Sequence, residues 1–105
     1  MMGGGNIPEK HGKKLTKAEE LLIHLSKFEH HKDDYFVPIQ VTEEGLQREL
    51  CCSRSLISSI LRNYEKVGFI YRIKSKVDRK KYKQFAFFLT KSGRKHALRL
   101  KKATK

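Results

Sequence analysis

The sequence predicts one small α+β domain, mainly helical, and three observations carry that reading. The chain has 105 residues, enough for one domain with one modest core. The stretch Ser53 to Gly68, SRSLISSILRNYEKVG, repeats Leu56, Ile57, Ile60, Leu61 and Tyr64 at helical spacing, which predicts one buried face. Beyond Gly68 the period changes to two: Phe69, Tyr71 and Ile73 alternate with Ile70, Arg72 and Lys74, so a strand follows the helix.

Each element has its own signal. Residues 1–14, rich in Gly and Lys, read as a flexible leader; the domain is expected over 15–102, with a basic, fraying tail at 103–105. A first helix is predicted from Thr16 to His30. Thr16 and Glu19 have capping-box spacing, and Ala18, Leu21, Leu22, Leu25 and Phe28 form its stripe. The polar run His30 to Asp34 reads as a loop. Tyr35 to Val41, YFVPIQV, reads as a short extended segment, kept at a sheet edge because Pro38 cannot donate to a ladder. Thr42 opens a short helix, TEEGLQREL, with two acids in its first turn, where the helix dipole favours them. Ser53 can cap the central helix and Gly68 can end it. Two helices joined by a turn of about three residues make a helix-turn-helix. A polar tip at Asp78 to Lys80 joins the strand from Phe69 to a returning strand, Lys83 to Leu89, and completes a hairpin. Thr90 can cap a last helix whose Gly93, Ala97 and Leu100 share a face.

Charge is segregated along the chain. Residues 1–52 hold seven Lys or Arg against nine Asp or Glu, a net −2. Residues 53–105 hold seventeen against two, a net +15, which gives the chain its +13. A surface shaped only for solubility mixes signs, so this segregation points to a polyanion. The outward face of the central helix carries Arg54, Ser55, Ser58, Ser59, Arg62 and Lys66, short donors flanked by arginines that suit phosphates and base edges. A solvated helix face could look the same; the basic hairpin, with Arg72, Lys74, Lys76, Arg79, Lys80, Lys81 and Lys83, favours the binding face.

Other chemistries find little support. No apolar run reaches the roughly 18 residues of a membrane span, and the N-terminus lacks the apolar core of a signal peptide. A cytoplasmic location is expected, and Cys51 and Cys52 make no disulfide framework. A redox or metal-sensing role is the weaker reading, since a free cysteine such as Cys52 behaves as a small hydrophobe. His30, His31, Asp33 and Asp34 lack a second cluster with which to bind a metal. No nucleophile–base arrangement and no Gly-rich phosphate loop is legible, so we expect neither an enzyme nor a cofactor, and no small-molecule ligand is evident.

The order helix, strand, helix, turn, helix, hairpin, helix is that of a winged helix-turn-helix domain. The stretch VTEEGLQRELCCSRSLISSILRNYEKVGFI resembles the helix-turn-helix of winged-helix transcription regulators, in particular archaeal members. The resemblance is carried by Val41-Thr42 with Gly45, by Ser53-Arg54-Ser55, by Lys66-Val67-Gly68, and by Phe87-Phe88-Leu89-Thr90 with Gly93. It covers about residues 16–100. Two positions depart from the pattern: Cys51 stands where Gly is usual, and Gln47 where a small residue is common.

This resemblance implies a three-helix core, a two-stranded wing, a short edge strand and a C-terminal helix. It implies double-stranded DNA as partner, with helix 53–67 in the major groove through Arg54, Ser55, Ser58, Ser59 and Arg62. The wing, 72–83, would lie on phosphates or in a minor groove through Lys74, Lys76, Arg79, Lys80, Lys81 and Lys83. A homodimer is expected through the first and last helices, with Leu98 and Phe88 as apolar residues left for the partner. An RNA-binding or ribosome-associated module, or an interaction domain of a larger regulator, would share the fold; for RNA, Tyr71, Tyr82 and Phe88 are the aromatics that could be exposed.

Overall fold

The computed structural model describes residues 15–103. Four helices and a three-stranded sheet follow in the order α1 (Lys17–Ser26), β1 (Phe36–Val37), α2 (Glu43–Leu50), α3 (Arg54–Lys66), β2 (Ile70–Val77), β3 (Gln84–Leu89) and α4 (Lys91–Ala103). Short 3-10 turns at Glu29–His31 and Ile39–Val41 flank β1. β1 runs parallel to β2 at the sheet edge and β3 runs antiparallel to β2, in the order β1-β2-β3. The leader expected over 1–14 lies outside the described residues.

Helix starts follow their caps. Thr16 and Glu19 form the reciprocal capping box. Thr42 Oγ1 accepts from Gly45 N–H at 3.2 Å and donates to the Ile39 carbonyl at 2.7 Å. Thr90 repeats the device: its hydroxyl accepts from Gly93 N–H at 3.1 Å and donates to the Gly68 carbonyl at 2.5 Å. In both places the glycine three residues on lets a backbone carbonyl lie against the helix. A Cβ at Gly45 would sit 2.0 Å from the Ile39 oxygen, and one at Gly93 would sit 1.9 Å from the Phe69 oxygen. At the end of α3, Gly68 takes φ 83° and Phe69 N–H closes onto the Tyr64 carbonyl at 2.9 Å.

The core joins Leu21, Leu22 and Leu25 of α1, Leu46 and Leu50 of α2, and Ile57, Ile60 and Leu61 of α3 to the sheet. His24 is buried with them, its Nε2–H donating to the Gln40 carbonyl at 3.0 Å, so its polar group is satisfied.

Several expectations need correction. Leu56 is 43 % exposed, because Ile57, Ile60, Leu61 and Tyr64 centre the stripe and leave Leu56 at its rim. Phe88 is fully buried and is left over for nothing. α1 packs on β3 and α3 on β2, so both faces of the inner sheet are covered. Tyr35 to Val41 is strand only at Phe36–Val37; after Pro38 the chain turns into the 3-10 segment that Thr42 caps. α1 stops at Ser26, short of His30.

Cys51 ends α2 at φ 54°, the left-handed region. A side chain there costs about 1–2 kcal/mol, and glycine would give back about 0.4–1 kcal/mol through the entropy of the unfolded chain. Urea melts should therefore show Cys51→Gly stabilising by about 0.5 kcal/mol. Gly45→Ala and Gly93→Ala should each destabilise by about 3 kcal/mol, the upper range of overpacking. Unchanged midpoints in the two alanine variants would contradict the close approach.

Candidate nucleic-acid interface

The turn between α2 and α3 sets how α3 is presented. Ser53 caps α3 by accepting from Leu56 N–H at 3.2 Å, and Ile57, Ile60 and Leu61 face inward. Arg54, Ser55, Ser59 and Arg62 stand exposed on the outer side. Ser58 is different: it is half-buried and its hydroxyl donates to Glu43 Oε2 at the start of α2. Arg54 leans towards the same carboxylate, its Nε 3.8 Å from Glu43 Oε1.

The wing supplies the second group of cations. The pairing register sets Lys74 opposite Phe85 and Arg72 opposite Phe87. Residues 78–83 form the connecting loop, in which Arg79 takes φ 66°. Lys80 folds back to Glu44 of α2 at 3.1 Å, and Glu44 also holds Arg48 at 2.7 Å. Arg72 pairs with Glu65 of α3 at 3.2 Å. Among the described residues, Arg62, Lys74, Lys76, Arg79, Lys81 and Lys83 have no carboxylate partner. Between α3 and the wing lies an open cleft of about 400 Å³, walled by Glu43, Ser58, Arg62 and Arg72 over Phe85 and Phe87. Of the residues singled out from the sequence, the cleft brings together Ser58 and Arg62 on the helix side and Arg72 on the wing side; Arg54, Ser55, Ser59, Lys74, Lys76, Arg79, Lys80, Lys81 and Lys83 lie outside its lining.

Sequence reasoning gave Glu43 and Glu44 to the helix dipole alone. Their ties to Ser58, Arg54 and Lys80 depend on contacts 11 to 36 residues apart in the chain, which no local pattern signals. It also passed over Tyr35 and Phe36, which stand exposed at the sheet edge. Among the described residues no His, Cys, Asp and Glu side chains group to hold a metal ion, and no helix is long and apolar enough to cross a membrane.

Comparison with solved structures bears on the architecture. A point mutant of MepR from Staphylococcus aureus matches with a TM-score of 0.68 at 20 % identity, over 96 % of this chain and 70 % of that one. The fold is a winged helix-turn-helix. The complex of S. aureus MepR with DNA matches at 0.63 and 22 %, over 85 % of this chain and 63 % of that one. The heme sensor protein PefR, in complex with heme and carbon monoxide, matches at 0.58 and 24 %, over 82 % of this chain and 51 % of that one. This winged-helix chain therefore spans between half and seven-tenths of the length of these relatives in fold. The particular likeness to archaeal members has no support among them. No protein-family model and no curated protein sequence matches the chain.

Charge also acts on the tyrosines. The Lys76 ammonium beside Tyr35, and after it the charge of Lys83, lowers the Tyr35 phenol below its ordinary range. Burial raises Tyr64 and Tyr71. As pH rises, Tyr35 should ionise before either of them. Ultraviolet titration should show an early tyrosinate step that moves to higher pH in Lys76→Gln; a step that stays in place would remove Lys76 from the phenol.

Proposed function

We propose that this domain binds double-stranded DNA and acts as a transcription regulator, with α3 in the major groove and the wing on phosphates or in the adjacent minor groove. The observation that carries the reading is the charge: a net +15 over residues 53–105, spread over the exposed sides of α3, the wing and α4. The likeness in fold to MepR, one of whose structures is a complex with DNA, supports it. So does the absence of acids from the outer face of α3, where Arg54, Ser55, Ser59 and Arg62 stand exposed.

In this reading Arg54 and Ser55, at the start of α3, contact base edges. Ser59 follows them, and Arg62 sits on phosphate. Ser58, its proton given to Glu43, could contribute only an acceptor. Lys74, Lys76, Arg79, Lys80, Lys81 and Lys83 take phosphates; Lys80 would exchange its Glu44 carboxylate for a phosphate, and Arg54 its Glu43 carboxylate for a base edge. A regulator of this kind works in the cytoplasm, and we assign it no enzymatic activity. The expectation of no small-molecule ligand finds no support in PefR, whose structure holds heme. The domain would act as a homodimer through α1 and α4, where Leu98 is exposed off the packed face of α4. A monomer at high micromolar concentration in sedimentation would contradict that assembly.

Titration against duplex DNA at several salt concentrations tests the function. Each phosphate neutralised should contribute about −0.9 to the slope of log K against log salt. Neutralising Arg79, Lys80 and Lys81 together should flatten the slope and weaken binding to all sequences alike. Arg54→Ala should lower preference for a selected site over random duplex by about 1–3 kcal/mol, the worth of a bidentate arginine–guanine contact. Arg62→Ala should weaken both by a similar factor. An unchanged slope would take the wing out of the interface, and an unchanged preference would take Arg54 off the bases.

A further inference from the structure

We infer that the exposed sheet edge where β1 borders β2, which adjoins the wing cations already described, is a binding surface in its own right, and that its occupant is single-stranded nucleic acid. The register places Phe36 opposite Lys76 and Lys74 opposite Phe85. Facing pairs share a side of the sheet and alternate residues share it too, so Arg72, Lys74 and Lys76 form one row with Phe85 and Phe36 on that side. The rings are in water: Tyr35 is 69 % exposed, Phe36 52 % and Phe85 43 %.

Cations and rings touch along the row. Lys76 Nζ lies 5.0 Å from the Tyr35 ring centre, and the Arg72 guanidinium 4.6 Å from that of Phe85. Tyr35 and Phe36 meet edge to face at 4.8 Å, which leaves ring surface open to a third planar group. Neither Lys74 nor Lys76 pairs with a carboxylate among the described residues.

The chemistry selects the strand state. A base in a duplex already has its faces covered by neighbours, so exposed rings offer it little. An unpaired base has a free face, and stacking on an aromatic side chain or an arginine plane is how such bases are held. A single strand would lay its phosphates on Lys74 and Lys76 and stack its bases on Tyr35 and Phe36. The inference does not rest on the duplex reading of α3.

The test is fluorescence anisotropy of labelled oligo(dT), oligo(U) and a random duplex at one fixed salt concentration. Wild-type protein should bind oligo(dT), and the double variant Tyr35→Ala/Phe36→Ala should bind it at least tenfold more weakly, while duplex affinity stays within about twofold. Because both rings are exposed, the variant should keep its melting midpoint. Tyr35→Phe should bind like wild type, since the ring and not the hydroxyl stacks. Oligo(U) bound as tightly as oligo(dT) fits a surface that reads faces and charge; oligo(U) bound alone would overturn that account of the chemistry. Equal loss of duplex and oligo(dT) binding, unchanged oligo(dT) binding, or a variant altered only in self-association would each overturn the inference. If Arg54→Ala leaves duplex preference intact, the duplex reading fails and this surface stands.

Discussion

The fold depends on a threonine hydroxyl and a glycine three residues later, used twice. At Thr42 and Gly45, and again at Thr90 and Gly93, one hydroxyl both caps a helix and grips a carbonyl of the segment before it. The missing Cβ lets a carbonyl of that segment lie against the helix. The first instance seats α2 on the turn after β1, and Thr42 also bridges to Ala86 of β3, so α2 is fixed to the sheet. The second joins the end of α3 to the start of α4 through Gly68 and Phe69. With α2 and α4 so held, α3 has one way to bury Ile57, Ile60 and Leu61, and its outer face is decided by what remains.

That outer face is cationic, and acids border it. Glu43, Glu44 and Glu65 hold Arg54, Lys80 and Arg72 at distances of 3.1 to 3.8 Å. Exposed pairs of this kind are worth about 0–1 kcal/mol each. They orient long side chains at small cost and release them easily. In the proposed reading DNA displaces Glu44 from Lys80 and Glu43 from Arg54, a phosphate in the first case and a base edge in the second. Lys74 and Lys76 belong to both proposed surfaces, and what sets the sheet edge apart is the exposed rings of Tyr35 and Phe36 beside the charge.

Much of this was legible in the sequence because it is local. The cap at Thr16, the stripe of α3, the stop at Gly68 and the change of period into β2 each lie within a few residues. The departure at Cys51 was legible too, and its φ of 54° shows the turn is made with a side chain where glycine would be easier. What escaped the sequence is what depends on distant packing. Phe88 alternates like an outward residue, yet α1 covers that side of β3. Leu56 fits the helical repeat but lies at its rim. Ser58 lies at an outward spacing, yet its hydroxyl turns to Glu43, fifteen residues earlier. Tyr35 and Phe36 read as part of a short edge segment, and β1 does lie at the sheet edge; that both rings stand exposed there was not legible.

The central claim is that α3 enters the major groove of duplex DNA. Methylation interference on a selected duplex tests it most directly, because dimethyl sulfate marks guanine N7 in the major groove and adenine N3 in the minor groove. The account predicts that N7 methylation at a short run of guanines blocks binding by the wild-type domain, and that at least one of these positions becomes indifferent in Arg54→Ala. Binding that ignores N7 methylation throughout, while remaining sensitive to N3 methylation or to strand separation, would contradict it.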